Sequence, residues 1–449
     1  VTPKGLEECL VNAIEVSPHD PATAYIATTR YKFNDKTPSL YKTTNYGKNW
    51  TKISDSIPQG AFTRVVREDK NRKNLLYAGT ETGIYLSWNG GKSWEPFQLN
   101  LPITPITDLM VHEGDLIVAT SGRSFWILDN LNLLAQYQST GKNQLYEPED
   151  LVFGNWSSPL NNNSSEGTSG SEGVNPASGV VVYYELAEEP KEAIKLEVFE
   201  ASGKLISSLS SKKDADFKSY AGGPPSSQVI DASKGLNRFV WDTRHSVMPG
   251  IPTVYIEASY RGHKVNPGTY TLRIHLGNDE ILESTATILA NPTLEIPDGQ
   301  LAEYDSFMSE VEYELTAMHH RVNELSAIHN QLNAIVKDFS GNEALEKEAN
   351  EILAALDGWD KEMVQRKSKA YDDVENFPNK FTAEYMFMIN QTENSIPRVN
   401  KSNIARRAEL DMQWKLLKTQ SDIWLEQTLP TFNAKLWAAG FGAIRITQK

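Results

Sequence analysis

The chain has 449 residues, 39% hydrophobic and 23% charged, with a formal net charge of −14. That length accommodates about three domains, and the acidic balance, without any basic run, argues against a nucleic-acid or anionic-membrane partner. A single cysteine, Cys9, excludes an internal disulfide and a paired-thiol zinc site, and no apolar run approaches membrane-span length. The chain begins at Val1 with no signal-peptide pattern, which reads as a cut or truncation.

Residues 1–140 read as repeated β-rich blocks. The first block runs VNAIEVSP, TAYIATTRY and SLYKTT, then YKTTNYGKNWTKI. The second runs TRVVRED, NLLYAGT and GIYLSW, then LSWNGGKSWEPF. Each block ends on a hydroxyl–x–Asn–x–Gly–x–x–Trp turn, at Thr43, Asn45, Gly47 and Trp50, and again at Ser87, Asn89, Gly91 and Trp94. Glycine to glycine, the offset is 44 residues, the size of one four-stranded propeller blade. Asn and Gly both tolerate positive φ, and short polar side chains bond the turn's own backbone. The Trp is expected to close its hairpin as an apolar lid. A third block, ITDLMVHEG, DLIVATSG and SFWILDN, carries no such turn. Three blades do not close a ring, which takes about four to eight. The remaining blades are therefore expected upstream in the same protein or in a separate cleaved chain.

These turns resemble the Asp-box of sialidases, sortilin-type propellers and xyloglucanase-type glycoside hydrolases, with Asn in place of the usual Asp in both copies. The run from VTPKGLEECLVNAIEVSP to SFWILD is similar to the last blades of large secreted bacterial sortilin-like, BNR-repeat propeller proteins of the Bacteroidetes type, annotated within that family as glycosyl hydrolase-like. The resemblance implies a structural role for the boxes, on the blade rim and away from any active centre. It also implies secretion, cell-surface exposure or a periplasmic location.

Residues 141–178 read as a connector, with a Ser/Asn/Gly/Glu centre expected to be a mobile loop. Residues 179–292 read as a small β-sandwich with candidate strands GVVVYYEL, AIKLEVFE, KLISSLS, LNRFVWD, TVYIEAS, TYTLRIHL and ILESTATIL. Two pieces, around Trp241 and around Pro267, Gly268 and Tyr270, resemble Ig-like modules of the flagellar hook-cap type, and the two aromatics are expected in the core. The stretch Ser210–Gly235 exceeds a simple hairpin loop and is expected to cover the blades or reach a partner.

Residues 298–449 turn helical. Met308, Val311, Leu315, Met318, Val322, Leu325, Ile328, Leu332 and Ile335 step by three and four along a first helix, 301–339. Further helices are expected at 342–368, 381–391 and 404–429, the last broken near Pro430. Trp414, Trp424 and Trp437 are expected in the core. Short connections predict an antiparallel four-helix bundle. His319 and His320 point about 100° apart on the first helix and His329 stands further along it, so no metal or cofactor is expected there.

The fold class expected is mostly β with an α C-terminal module: a partial Asp-box β-propeller, an Ig-like β-sandwich and an antiparallel helical bundle. Hydrolysis needs two carboxylates flanking one bond, or the Tyr and Arg cluster of sialidases. The channel-facing candidates are Tyr31, Glu81, Asp108, Arg123 and Trp126. Arg123 reads either as a partner of a blade carboxylate or as a binding group beside an aromatic platform. No Ser-His-Asp, phosphate-loop, metal or nucleotide pattern stands out. The leading function is a secreted or cell-surface protein binding a glycan or polypeptide, non-catalytic in this portion. The alternatives are a two-propeller, xyloglucanase-like glycoside hydrolase with its carboxylates mainly in other blades, and a structural subunit of an extracellular or outer-membrane assembly.

Overall fold

A computed structural model describes residues 2–138, 141–154, 177–277, 279–339 and 341–445. The Ser/Asn/Gly/Glu centre of the connector lies outside them. Helix (30%) and strand (27%) are nearly equal, so the chain is mixed rather than mostly β. Its helical C-terminal third opens on a helix of 36 residues. Two compact units divide the described residues, with 2–150, 177–188 and Lys234–Val240 in one. The other holds 151–154, Glu189–Ser233 and the chain from Trp241 onward.

The first unit opens with three antiparallel sheets in chain order. Strands β1 (Leu10–Val16), β2 (Ala24–Arg30), β3 (Asp35–Thr43) and β4 (Thr51–Lys52) form one meander. Strands β5 (Thr63–Glu68), β6 (Leu76–Thr80), β7 (Ile84–Ser87) and β8 (Glu95–Pro96) form the second. The third has β9 (Ile106–His112), β10 (Asp115–Thr120) and β11 (Phe125–Leu128). It leads through Asn130, at φ 63°, into helix α1 (Leu131–Gln136). Period-2 alternation splits the second sheet between its neighbours. Leu76 and Ala78 pack with Tyr25, Ala27 and Leu40 of the first sheet. Leu75 and Tyr77 pack with Ile106, Leu109, Leu116 and Val118 of the third. Gly79 marks a close approach: a Cβ there would stand 2.6 Å from Val65 Cγ1 and 2.7 Å from Ile106 Cγ2.

Both tryptophan turns have one geometry. Thr43 Oγ1 accepts from the Gly47 amide (3.0 Å), and Asn45 Oδ1 accepts from the Asn49 amide (2.9 Å). Ser87 Oγ and Asn89 Oδ1 do the same for the amides of Gly91 and Ser93, each at 2.9 Å. Positive φ falls on Tyr46 and Gly47, and on Gly90 and Gly91, not on the asparagines. Asn is there as a side-chain acceptor rather than for its backbone. The lid expectation also needs correcting. Trp94 packs with Ile53 and Ile57 on the connector leaving the first sheet, and its indole N–H donates to the Ile53 carbonyl. It closes the neighbouring sheet's connector, not its own hairpin. Trp50 is only half-buried, and no sheet precedes its own among the described residues.

The remaining strands are β12 (Gln144–Leu145), β13 (Leu151–Val152), β14 (Val180–Leu186), β15 (Lys195–Glu200), β16 (Leu205–Ser210), β17 (Gly235–Trp241), β18 (Gly268–Leu276) and β19 (Glu280–Leu289). They make a sheet in the order β12-β14-β17 and a five-stranded sheet in the order β13-β19-β18-β15-β16. The first belongs to the first unit except for Trp241, and the second to the second unit. In the second unit Trp241 meets Tyr270 edge-on at 5.4 Å. The segment TVYIEAS is not a strand. Val254, Ile256 and Tyr260 instead bury into the helical core with Met248 and Ile251. The long stretch after β16 folds back within the same unit, where Ser210 bridges Val229 and Tyr220 lies against Gly250.

The helices are α2 (Gln300–Ile335), α3 (Glu343–Met363), the short α4 (Asp373–Asn376), α5 (Phe381–Glu393), α6 (Lys401–Ile423) and α7 (Leu429–Ala438). The stripe on α2 is buried from Met308 to Leu332, with Ile335 half-buried. Asn342 and Asn400 cap α3 and α6 by accepting from the amides of Leu345 and Asn403. Pro430 does not break the last helix. A π-turn over Trp424–Thr428 absorbs the mismatch and the chain runs on as α7, with Pro430 in its first turn. Trp414 is buried and Trp424 half-buried, but Trp437 is 78% exposed, against expectation. Among the described residues no helix is long and apolar enough to cross a membrane.

The two tryptophans should separate on substitution. Trp94→Ala is expected to cost about 3–5 kcal/mol and Trp50→Ala about 1 kcal/mol, read from denaturant midpoints. Equal losses would sink the connector-closing role.

His319 offers a pH test. Its Nδ1–H donates to the Pro249 carbonyl at 2.6 Å, and burial depresses its pKa to about 4. An unfolded histidine takes up its proton near pH ~6.5, whereas the folded one resists until about pH 4. Between those values the unfolded state binds more protons, so stability falls as pH falls. His319→Gln is expected to flatten that decline by up to about 3 kcal/mol, measured by denaturation at several pH values across the window. An unchanged slope would remove His319 as a cause.

Candidate functional site

The five residues marked out on the blades do not converge on one point through their contacts. Tyr31 stacks on Phe62 with centroids 5.5 Å apart, and the Arg64 guanidinium lies over the same ring. Arg64 in turn holds Glu81 through two hydrogen bonds, at 2.9 and 2.6 Å. Tyr31 and Glu81 thus belong to one group, joined by two residues that sequence reading missed. Asp108 belongs to a second group. Arg67 on β5 donates to Asp108 on β9 at 2.8 Å and reaches Glu15 on β1 at 3.5 Å. One guanidinium therefore ties the first strands of all three sheets. Arg123 and Trp126 form a third group, in which the indole N–H donates to the Arg123 carbonyl at 2.7 Å. Arg123 is exposed, and no ion pair to it is found among the described residues.

A denser polar constellation stands in the second unit. The chain leaving β17 and the chain entering β18 run antiparallel beside each other. Arg244 bridges Lys264, and the His245 amide donates to the His263 carbonyl at 3.0 Å. That rung stacks the two imidazoles, 4.1 Å apart and inclined by 15°. Helix α2 supplies two carboxylates, Asp305 and Glu312. Seven residues make nearly two full turns, so both project from one face about 10 Å apart along the axis. The His263 ring fits between them. Its Nδ1 lies 2.9 Å from Glu312 Oε2 and its Nε2 lies 3.1 Å from Asp305 Oδ1. The His263 amide also donates to Glu312 Oε1 at 2.8 Å.

The electrostatics separate the two histidines. Burial opposes charge on His263, but the hydrogen bonds to Asp305 and Glu312 outweigh it and raise its pKa to about 9. His245 goes the other way: burial first, then the neighbouring His263 charge, depress it to about 3. The His263 hydrogen bond holds Asp305 below the usual carboxylate range. His245 Nε2 is buried with no hydrogen-bond partner among the described residues. One ligand atom from each of His245, His263 and Asp305 lies within 4.8 Å of the others, a spacing that admits a metal ion. His245 also lines a cleft of about 170 Å³, with Ser207, Asp242, Arg244, Gln228 and Arg261.

No protein-family model and no curated protein matches the chain. Among solved structures it is similar to a GH74 enzyme of Niastella koreensis, with 11% identity over 61% of this chain and 46% of that one, TM-score 0.23. It is also similar to YCF48 bound to a D1 peptide, with 17% identity over 29% of this chain and 40% of that one, TM-score 0.22. A third is the extracellular domain of a hybrid two-component system from B. thetaiotaomicron, with 12% identity over 65% and 32%, TM-score 0.21. These are propeller-type proteins, and this chain spans 32% to 46% of their lengths. Scores of this size leave the functional reading to the residues themselves.

Glu312 is the anchor of the constellation. Glu312→Ala is expected to cost about 3–5 kcal/mol, because it strands a buried partner. Glu310→Ala, which removes an exposed pair to Arg407, is expected to cost less than about 1 kcal/mol. Urea denaturation of both variants measures the contrast, and equal small losses would show that His263 does not depend on Glu312.

Proposed function

We propose that the chain is part of an extracellular or cell-surface propeller protein whose blades recognise a polypeptide or glycan, and that this portion is non-catalytic. The observation that carries this reading is the commitment of both candidate carboxylates. Glu81 is held by Arg64 and Asp108 by Arg67. A hydrolytic pair needs two carboxyl groups facing one scissile bond. Carboxylates held by arginine in this way serve instead to lock strands together. Arg123 and Trp126 offer what a recognition surface uses: an exposed cation beside an aromatic ring with its polar edge already satisfied.

The outer faces of the end sheets support a ring completed by further blades, in the same protein or in a separate chain. Ile14 and Val16 on β1 are 68% and 63% exposed, and Phe125 and Ile127 on β11 are 78% and 62% exposed. Their apolar alternates Ala13, Trp126 and Leu128 are half-buried against the core shared with the second sheet, so the same alternation would cover the outer set with another blade. On this reading the chain is an Asp-box, sortilin-like propeller portion followed by an Ig-like sandwich and a helical bundle.

The test is ligand binding by the full chain to panels of soluble oligosaccharides and peptides. Trp126→Ala and Arg123→Ala are expected to lower affinity at least about tenfold, or about 1.4 kcal/mol, at unchanged melting temperature. Release of reducing ends that vanishes in Glu81→Gln or Asp108→Asn would overturn the non-catalytic reading in favour of a glycosidase.

A further inference from the structure

The constellation on α2 has more organisation than a structural ion pair requires. Glu312 bonds both the backbone and the ring of His263, fixing the imidazole in one orientation. A carboxylate behind one ring nitrogen leaves the other directed at what lies in front, the arrangement that orients metal-binding histidines. His263 Nε2 faces the Asp305 carboxylate, and the His245 ring stacks on the face of the same imidazole. The Nε2 of His245 is buried and has no hydrogen-bond partner among the described residues, which is unfavourable for a polar atom unless something binds it.

We propose that His245, His263 and Asp305 bind one divalent transition-metal ion of the zinc class, with Glu312 orienting His263 from behind. The donor set is two imidazoles and one carboxylate, a nitrogen and oxygen combination suited to zinc and its first-row neighbours rather than to calcium or magnesium. The three ligand atoms already lie within 4.8 Å of one another. Ligands of a common ion at about 2.0–2.2 Å stand closer together than that, so the site closes as the ion binds. His245 turns about its Cβ–Cγ bond to leave the ring stack and present Nε2. His263 loses its Nε2 proton to solvent as the ion takes that place between imidazole and Asp305.

Asp305 and Glu312 bring two carboxylates to His263, and one divalent ion balances their charge, which is how buried charge is retained at least cost. The cleft of about 170 Å³ lined by His245 gives the ion and its water a path from solvent. Three protein ligands leave a coordination position open to a small oxygen-bearing ligand. His319 and His329 on α2 take no part. His319 is committed to Pro249, and His329 pairs with Asp357 at 3.2 Å.

The experiment uses the full chain stripped with a chelator and then titrated with Zn²⁺ by calorimetry, and with Co²⁺ by visible absorption. One equivalent of zinc is expected, with a cobalt ligand-field band and a raised melting temperature. His245→Ala and the near-isosteric Asp305→Asn are each expected to weaken zinc binding at least about 100-fold, and Glu312→Gln by about 10–100-fold. His329→Ala is expected to leave binding unchanged. His245→Ala removes a ring whose Nε2 makes no hydrogen bond, so it is expected to retain the fold, as circular dichroism will report. Three results overturn the site: neither heat nor a cobalt band in the parent chain, binding of equal strength in folded His245→Ala and Asp305→Asn, or loss confined to His329→Ala.

Discussion

A β-sheet that is apolar on both faces is stable only between two others. The second sheet obeys this constraint at nearly every position, and the rest of the first unit follows from it. Leu76 and Ala78 look one way, Leu75 and Tyr77 the other, and both sets are buried. Gly79 exists where a methyl group would collide with Val65 and Ile106. The polar ties obey the same geometry, because the β5 guanidinium of Arg67 reaches carboxylates on β1 and β9. Such stacking has no natural end. The first and third sheets therefore present Ile14, Val16, Phe125 and Ile127 to solvent.

In the second unit the long helix α2 does two jobs with one face. Met308, Val311, Leu315 and Met318 fill the core, while Asp305 and Glu312 point at a histidine delivered by irregular chain. The stretch holding Met248, Ile251, Val254, Ile256 and Tyr260 makes this possible. It gives up regular strand pairing, buries its apolar side chains against the helices, and brings His245 and His263 face to face across one rung.

The repeats were the most legible part of the sequence. Spacing and turn chemistry located the two tryptophan turns, the strands β5–β7 and β9–β11, and the stripe on α2, because period 2 and period 3.6 are printed in the residues themselves. What the turns do was less legible. Asn45 and Asn89 act through their side chains, and Trp94 reaches across to Ile53, a contact about 40 residues away that no local pattern encodes. TVYIEAS alternates like a strand and is not one, because tertiary burial against helices supplies the same apolar demand. The histidine constellation left almost no trace in the sequence. His245 and His263 come from a stretch read as sandwich, and Glu312 sits inside a run read as core. The one available signal was a carboxylate seven residues from another along a buried helical face.

The reach of Trp94 has a direction. The second tryptophan turn closes the connector of the sheet before it. That contact couples the two sheets reciprocally through one offset joint. Loosening of one sheet exposes the Trp of the next, whereas loosening of the next opens the connector of the first. Amide exchange in such an array would step from sheet to sheet rather than fall off evenly from both ends. Protection in the second sheet would be set jointly by its two neighbours, and protection of the Ile53–Ile57 connector by the integrity of a turn that lies one repeat downstream.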